Sequence, residues 1–214
     1  MAAKLEIDLM EYSTSELAQA AYVTNAIYDS YTKLCSHFDG ADAATAYTDP
    51  IAGVYTFIGT AQLDTAQYKF GTASLLLDGN SGYLDIADSA SWNFGTGDFT
   101  VDCWIRLASD VNSCILSQFT ATEANRLQIQ YSADDSTIGI LVRTDGSWIL
   151  LFRPTWNPDI NTWYHFAVVR SGNNWYIFIN GTQLDTTSAS ITMPDLNSTL
   201  KIGATYNSTQ GLFN

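Results

Sequence analysis

The chain has 214 residues, of which 46% are hydrophobic and 13% aromatic, and this is enough to fill one sizeable core. Its 22 acidic residues outnumber its 9 basic ones and give a net charge of −13. This charge argues against nucleic-acid binding, which needs clustered Lys and Arg, and against an anionic membrane surface. No stretch is long and apolar enough to span a bilayer.

The three cysteines, Cys35, Cys103 and Cys114, form no C-x-x-C motif. We therefore expect three free, mostly buried thiols rather than a disulfide framework or a zinc site. If the strands of Cys103 and Cys114 form a hairpin, a bond between them would need a register slip. Residues 1–4 lead into no apolar run, so we expect no signal peptide and a chain that folds in a cytoplasm.

Residues 1–31 differ in pattern from the rest and are predicted to form an N-terminal arm. Leu5–Tyr12 alternates like a short strand, and Ser13–Glu16 is a capping-box pattern that predicts a short helix. The strand is suited to an assembly contact through its alternating apolar side chains, Leu5, Ile7 and Leu9.

From residue 32 onward, short strands and turns alternate with almost no helical period. Around a central hairpin, the predicted strands are Leu34–Phe38, Val54–Ile58, Gln62–Leu63, Ser74–Leu77, Tyr83–Ile86, Phe99–Leu107, Cys114–Phe119, Arg126–Tyr131, Ile138–Arg143, Trp148–Phe152, Ser190–Met193 and Leu200–Ala204. We therefore predict an all-β fold, an antiparallel two-sheet jelly-roll sandwich, over residues 32–214.

The central hairpin lies within Asn161–Asp185. Two long strands flank Ser171–Asn174, and the following Asn180-Gly181 pair suits a type I′ turn. Both faces of the hairpin carry apolar side chains, so we predict that water reaches neither side of it. His165 alternates with apolar neighbours and is predicted to be a core histidine.

Several segments resemble the laminin-G-like, concanavalin A-like jelly-roll family. In the family's order they are LCSHFDG (34–40), KFGTASLLLDG (69–79), FGTGDFTVDCWI (94–105), WYHFAVVR (163–170) and LKIG (200–203). The resemblance implies the jelly-roll fold, but the family's closing strand, commonly Ile-Asp-Glu, does not occur before Asn214. In the family that strand pairs beside the opening strand, here Leu34–Phe38. We therefore predict that the arm strand fills this gap, in its own subunit or in a neighbouring one.

The arm itself, especially Met10–Ser13 and Ala18–Asn25, is similar to segments that flank such modules in tailed-phage particle proteins. This resemblance implies a non-enzymatic structural or adhesion module of a virion (a fibre, tail or head decoration protein), assembled in the host cytoplasm. The expected partners are other virion proteins, further copies of the chain in a homo-oligomer, and surface glycans, with no nucleic acid and no membrane.

A carbohydrate-binding lectin module is the alternative function. Trp156 lies between Pro154 and Pro158 and is predicted to lie in a loop, where its ring either stacks on a sugar or closes the edge of the sandwich. Trp92 and Trp148 are predicted to be packing residues.

A β-glucan hydrolase is the more distant alternative. Residues 6–11, EIDLME, resemble the E-x-D-x-x-E motif of β-glucanases and laminarinases. The resemblance implies Glu6 as nucleophile, Glu11 as acid/base and Asp8 between them. In those enzymes the motif lies mid-sheet in a cleft, whereas here it precedes the first predicted strand of the sandwich, so we predict no catalytic residue.

No cofactor is expected, with calcium as the alternative. Asp39 and Asp78 each precede a glycine at the end of a predicted strand, where hard oxygen ligands can converge. The local interpretation is that both carboxylates cap turns. His37 and His165 have no Ser or Cys at a recognisable motif spacing, so the sequence predicts no nucleophilic triad.

Overall fold

The structure is a computed structural model that describes residues 3–6, 28–205 and 212–214. Its strands are β1 (Ala3–Glu6), β2 (Thr48–Asp49), β3 (Gly53–Val54), β4 (Thr56–Ile58), β5 (Gln62–Asp64), β6 (Ser74–Leu77), β7 (Tyr83–Ile86), β8 (Phe99–Arg106), β9 (Ser113–Phe119), β10 (Arg126–Ser132), β11 (Thr137–Thr144), β12 (Ser147–Phe152), β13 (Tyr164–Ser171), β14 (Asn174–Ile179), β15 (Thr182–Ser188) and β16 (Leu200–Ile202). One 3₁₀ helix, Ala90–Trp92, lies between β7 and β8.

The strands form two seven-stranded antiparallel sheets and a small two-stranded one. The first sheet has the order β15-β14-β13-β8-β1-β6-β5, and the second has the order β12-β11-β10-β9-β16-β7-β4. The predicted all-β antiparallel sandwich is therefore confirmed. In the part of the chain that the structure describes, no helix has the length and apolar character needed to cross a membrane.

The core lies between the two sheets and is filled by the inward half of each alternating strand. The first sheet contributes Ile105, Phe166 and Trp175, and the second contributes Ile129 and Ile140, all of them fully buried. The Trp175 indole N–H donates to the Ala189 carbonyl at 3.1 Å, so the polar atom of the largest buried side chain is satisfied.

The central hairpin consists of β13 and β14, followed by a turn of the predicted kind. Asn180 has φ 50° and Gly181 has φ 74°, and a type I′ turn requires positive φ at both positions. The prediction that water reaches neither face is wrong, because Tyr176 and Phe178 are half-buried on the side that faces away from the core. The reason is that this sheet packs against the second sheet through one face only.

Two predicted strands do not form. Leu34–Phe38 runs outside both sheets because a buried side chain, not a neighbouring strand, holds its backbone. The Asp49 carboxylate accepts hydrogen bonds from the Cys35 N–H at 3.0 Å and the Ser36 hydroxyl at 2.7 Å. Residues 190–193 also form no strand, and Met193 donates its N–H to Gly95.

The arm contributes a strand to the middle of the first sheet. In β1, Leu5 pairs with Leu75 of β6 on one side and with Ile105 of β8 on the other. The predicted pairing with Leu34–Phe38 is therefore wrong, whereas a strand of the arm does complete a sheet of its own chain. Ile7, Leu9 and the predicted helix lie outside the described residues.

All three cysteines are free and buried, as predicted. The predicted hairpin between the strands of Cys103 and Cys114 is wrong, because β8 belongs to the first sheet and β9 to the second. Burial raises the pKa of Cys114 to about 12 and lifts the pKa of Cys103 even further above its usual range.

We expect none of the three thiols to react readily with a thiol-specific reagent at pH 8 in the native protein. Thiolate is the reactive species; burial suppresses its formation at Cys103 and Cys114 and blocks the approach of the reagent to all three thiols. Titration with a chromogenic disulfide should give three reactive thiols in denaturant and almost none without it. A thiol that reacts within seconds in the native protein would contradict this assignment.

Trp175→Ala should lower the free energy of unfolding by about 3–5 kcal/mol, because it leaves a large cavity in the core. Trp148→Ala is the matched control, since Trp148 is 40% exposed and its removal should cost about 1 kcal/mol or less. Urea unfolding followed by circular dichroism measures both changes. Equal losses in the two variants would show that the inward position of Trp175 is misassigned.

Candidate functional site

The outer face of the first sheet carries an exposed group of aromatic and polar side chains around Trp104. Cys103 and Ile105 of β8 point into the core, so the alternation of the strand turns Trp104 outward. β13 pairs with β8 in a register that places His165 directly opposite Trp104. We call Trp104, His165, Asp102, Lys69 and Phe70 the Trp104 cluster.

The members of the Trp104 cluster touch one another at short distances. The Trp104 ring centroid lies 5.4 Å from the His165 ring and 5.6 Å from the Phe70 ring. The Lys69 ammonium lies 4.4 Å from the Trp104 ring centroid, in cation–π contact. His165 Nε2 and Asp102 Oδ2 are 2.9 Å apart, with 29% and 40% of the two side chains exposed. His165 is therefore a satisfied histidine as predicted, but on the outer face and not in the core.

Two further aromatic residues extend this surface along the sheet. Tyr176 and Phe178 lie on β14 with their rings 6.3 Å apart. Phe178 pairs with Ala167 of β13, which pairs with Asp102 of β8, so all three point to the same side. From the spacing of strands and residues in a sheet, Phe178 lies about 12 Å from Trp104.

A cavity of about 670 Å³ lies on the core side of β8, where Ile115 and Ile202 of the second sheet also line it. It runs between the first half of β8 and residues 29–35, and apolar side chains such as Phe99 and Val101 form much of its wall. Asp102 belongs to both the cavity and the Trp104 cluster. Pockets of about 300–1,000 Å³ commonly hold small-molecule ligands, so this cavity is large enough to receive part of one.

The motif at residues 6–11 that resembles E-x-D-x-x-E begins next to Trp104. The backbone of Glu6, at the end of β1, pairs with Trp104 in the middle of the first sheet. The expectation that this motif precedes the sandwich is therefore wrong, because its first residue lies within the sheet. Asp8 and Glu11 lie outside the described residues.

Trp156 is buried rather than exposed in a loop. Its side chain is 8% exposed and makes edge-to-face contacts with Tyr131 and Tyr164, at centroid distances of 5.8 and 5.1 Å. The hypothesis that its ring stacks on a sugar does not fit this position, because its neighbours cover it. The alternative interpretation, that Trp156 closes the edge of the sandwich, agrees with these contacts.

Trp148 was predicted to be a packing residue, but its side chain is 40% exposed. It lies on β12, the edge strand of the second sheet, with the Arg126 guanidinium 4.3 Å and the Arg143 guanidinium 5.7 Å from its ring centroid. A bulge in the β11–β12 pairing, between Trp148 and Leu150, places these two side chains on opposite faces. We call Trp148, Arg126 and Arg143 the Trp148 cluster.

The structure also brings together Cys35 and His37, a pair that no sequence motif indicated. Cys35 Sγ lies 3.6 Å from His37 Nε2, because residues two apart on extended backbone share a side. That i, i+2 spacing is the signal in the sequence that could have identified the pair. Cys35 is 1% exposed, and its burial makes the thiol a poor nucleophile.

Both calcium candidates accept hydrogen bonds from the protein, Asp78 within its own turn and Asp39 from Thr72, 33 residues along the chain. Asp39 Oδ1 accepts from the Thr72 N–H at 2.6 Å, and Asp78 Oδ1 accepts from the N–H groups of Ser81 and Gly82, both at 2.9 Å. Within residues 28–205 and 212–214, together with β1, no group of three or more His, Cys, Asp or Glu is placed to hold a metal ion. The turn-capping interpretation fits Asp78, whereas the Asp39 carboxylate binds the distant segment at Thr72.

Comparison with known proteins gives one family and a set of similar folds. Residues 78–214, more than half of the chain, match the Laminin_G_3 family, described as the concanavalin A-like lectin/glucanases superfamily. No curated protein sequence matches the chain.

Among solved structures, the chain is similar to domain 4 of an extracellular GH43 arabinanase from Geobacillus stearothermophilus, in complex with arabinotriose. The TM-score is 0.59 with 14% identity, over 78% of this chain and 86% of that one. It is also similar to the carbohydrate-binding module CBM66 from Bacillus subtilis, with a TM-score of 0.45 and 11% identity over 77% of this chain and 91% of that one.

Asp78→Asn should destabilise the protein at neutral pH, and the effect should fade in acid. Burial alone would raise the pKa of Asp78, but the N–H groups of Ser81, Gly82 and Asn80 and the hydroxyl of Thr60 hold it well below its usual value. A carboxylate whose pKa is lowered in the folded state stabilises that state above the unfolded pKa, and the contribution disappears as the pH falls below about 4.

Thermal unfolding of the wild type and Asp78→Asn between pH 7 and pH 2 measures this difference. Asp159→Asn is the control, since Asp159 is exposed and its substitution should have little effect at any pH. A difference between wild type and Asp78→Asn that stays constant down to pH 2 would rule out the carboxylate as its source.

Proposed function

Because the chain belongs to the concanavalin A-like lectin/glucanases superfamily, we propose that it is a carbohydrate-binding module that binds glycans at the Trp104 cluster. The observation that carries this proposal is the partly exposed Trp104 ring, flanked on the outer face of a rigid sheet by His165 and Asp102. A site on sheet strands is held by the core beneath it, so its groups are positioned before the ligand arrives.

The chemistry of the Trp104 cluster suits a sugar. A sugar ring has an apolar C–H face that stacks on an aromatic ring, and it has hydroxyl groups around its edge that need donors and acceptors. Trp104 and Phe70 supply aromatic surface, Asp102 supplies acceptor oxygens, and Lys69 supplies a donor. Both requirements are met within one contiguous group of side chains.

The extent of the surface supports an oligosaccharide rather than a single sugar. Phe178 and Tyr176 continue the aromatic surface to about 12 Å from Trp104, which is farther than one sugar ring reaches. Gln183 pairs with Phe178 from the edge strand β15 and is exposed beside it. A short glycan that lies across β8, β13 and β14 would contact both groups of rings.

We propose binding without hydrolysis. A retaining glycosidase needs two carboxyl groups about 5–5.5 Å apart on either side of the scissile bond. On the outer face Asp102 is paired with His165, which gives it the role of an oriented acceptor rather than a free nucleophile. Glu6 is placed next to Trp104 by the backbone pairing of β1 with β8.

The setting that the sequence resemblance implies, an adhesion module of a phage-like particle, stays a proposal. It is compatible with glycan binding, since adhesion to a surface requires a ligand on that surface. A micrograph that locates the protein in a particle would test the setting separately from the ligand.

Trp104→Ala should lower glycan affinity by about 30-fold or more, as expected when an aromatic residue at the centre of a binding site is removed. Binding is first measured on a glycan array that includes neutral arabino-oligosaccharides and β-glucans, and the best ligand is then titrated by calorimetry. Asp102→Asn should lower affinity less, because the amide keeps one acceptor oxygen.

Trp148→Ala is the matched control for neutral glycans and should bind them like the wild type, because Trp148 lies on the other sheet. Thermal unfolding establishes that each variant is folded. If the wild type binds no glycan, or if Trp104→Ala binds as tightly as the wild type, the proposed site is wrong.

A further inference from the structure

A second surface, on the outer face of the second sheet, combines an exposed aromatic ring with cations. Arg126 of β10 pairs directly with Arg143 of β11, and Arg143 pairs with Trp148 of β12. The three side chains therefore form a row across three strands at one end of the sheet. This row is the Trp148 cluster.

Two like charges directly opposite each other on neighbouring strands repel and destabilise the pairing. The charge of Arg126 is met by Glu123, whose Oε2 lies 3.6 Å from Arg126 Nη1. Arg143 instead donates its Nε–H to the Gly146 carbonyl at 2.9 Å and its Nη1 to the Glu123 carbonyl at 3.5 Å. Among the described residues, Arg143 thus has neutral acceptors and no carboxylate partner, so its positive charge is not neutralised.

Trp148 and Leu151 make the surface beside this cation apolar. Their side chains are 40% and 54% exposed and lie on the edge strand β12. An open strip of this kind has no walls to enclose a small molecule, but a polymer can lie along it. A guanidinium group is a planar fork that matches a carboxylate in two parallel hydrogen bonds.

We propose that the Trp148 cluster binds a uronic acid unit of an acidic polysaccharide. The sugar ring stacks on Trp148, and its carboxylate accepts hydrogen bonds from Arg143. The charge of that carboxylate also relieves the repulsion between Arg143 and Arg126. The inference depends on the proposed function for its class of ligand, a glycan, but it concerns a different site.

Because the chain carries a net charge of −13, the Trp148 cluster should bind an acidic polysaccharide only through direct contact. A polyanion is repelled by the chain as a whole, but at about 0.15 M salt charges farther apart than about 8 Å are largely screened from each other. A direct guanidinium–carboxylate contact acts within that distance. Binding should therefore be measurable at 0.15 M salt, and it should weaken at 1 M salt, where the contact itself is screened.

The experiment measures binding of polygalacturonate, with neutral galactan as the paired polymer, by affinity electrophoresis and calorimetry at 0.15 M salt. The wild type should bind polygalacturonate at least tenfold more tightly than galactan. Arg143→Gln and Trp148→Ala should each lose at least tenfold in affinity for polygalacturonate, and Arg143→Lys should lose less, because it keeps the charge without the fork.

Arg153→Gln is the matched control, because it removes the same charge from an arginine that is already paired with Asp135 at 3.2 Å. It should bind polygalacturonate like the wild type, as should Trp104→Ala. Loss of neutral-glycan binding in Trp104→Ala alone and of polygalacturonate binding in Trp148→Ala alone would establish two sites. If polygalacturonate fails to bind while neutral glycans do, this inference fails and the proposed function stands.

Three other outcomes would also overturn the inference. Equal losses in Arg143→Gln and Arg153→Gln would mean that net charge, not the Trp148 cluster, controls binding. Equal affinity for dextran sulfate and polygalacturonate would mean that a sugar carboxylate is not what is recognised. Wild-type affinity for polygalacturonate in a folded Arg143→Gln or Trp148→Ala variant would show that the Trp148 cluster is not the binding site.

Discussion

The alternation of side chains along β8 and β13 is the constraint on which the rest of this structure depends. Cys103, Ile105 and Phe166 have to fill the space between the sheets, and this leaves the intervening positions to face outward. A slip of one residue in either strand would bury Trp104 and His165 and expose the core. Core packing therefore determines the positions of the side chains in the candidate site.

The strands that the sequence predicted well are those in which a period-two pattern is bounded by turn residues close along the chain. Ser74–Leu77 and Tyr83–Ile86 form with the predicted bounds, and the β13–β14 hairpin ends at its predicted Asn180-Gly181 turn. In each case the period-two pattern and the turn residues act together, within about ten residues. Local information is sufficient for the bounds of these strands, although the partners of Tyr83–Ile86 are the distant strands β4 and β16.

The failures have a different physical origin. Leu34–Phe38 has the composition of a strand, but the Asp49 carboxylate accepts the Cys35 N–H and the Ser36 hydroxyl. The alternation of side chains along the sequence does not reveal such a contact. Trp156 lies between prolines and was predicted in a loop, yet Tyr131 and Tyr164 come from distant strands to cover it. Trp148 became exposed because a bulge shifts its strand. Periodicity predicts which side chains share a face, but the arrangement of distant elements decides which face is covered.

The position of β1 has a consequence for how the protein is made. Lys4 pairs with Arg106, about 100 residues further along the chain, so β1 leaves the ribosome well before β8, one of its two partners. At about 5–20 residues per second, β8 follows β1 by roughly 5–20 s of synthesis. During that interval β1 has no β8 edge on which to dock, and the middle of the first sheet remains open. The sandwich therefore closes late, and a nascent chain that stalls before β8 exposes an unpaired strand edge to its neighbours.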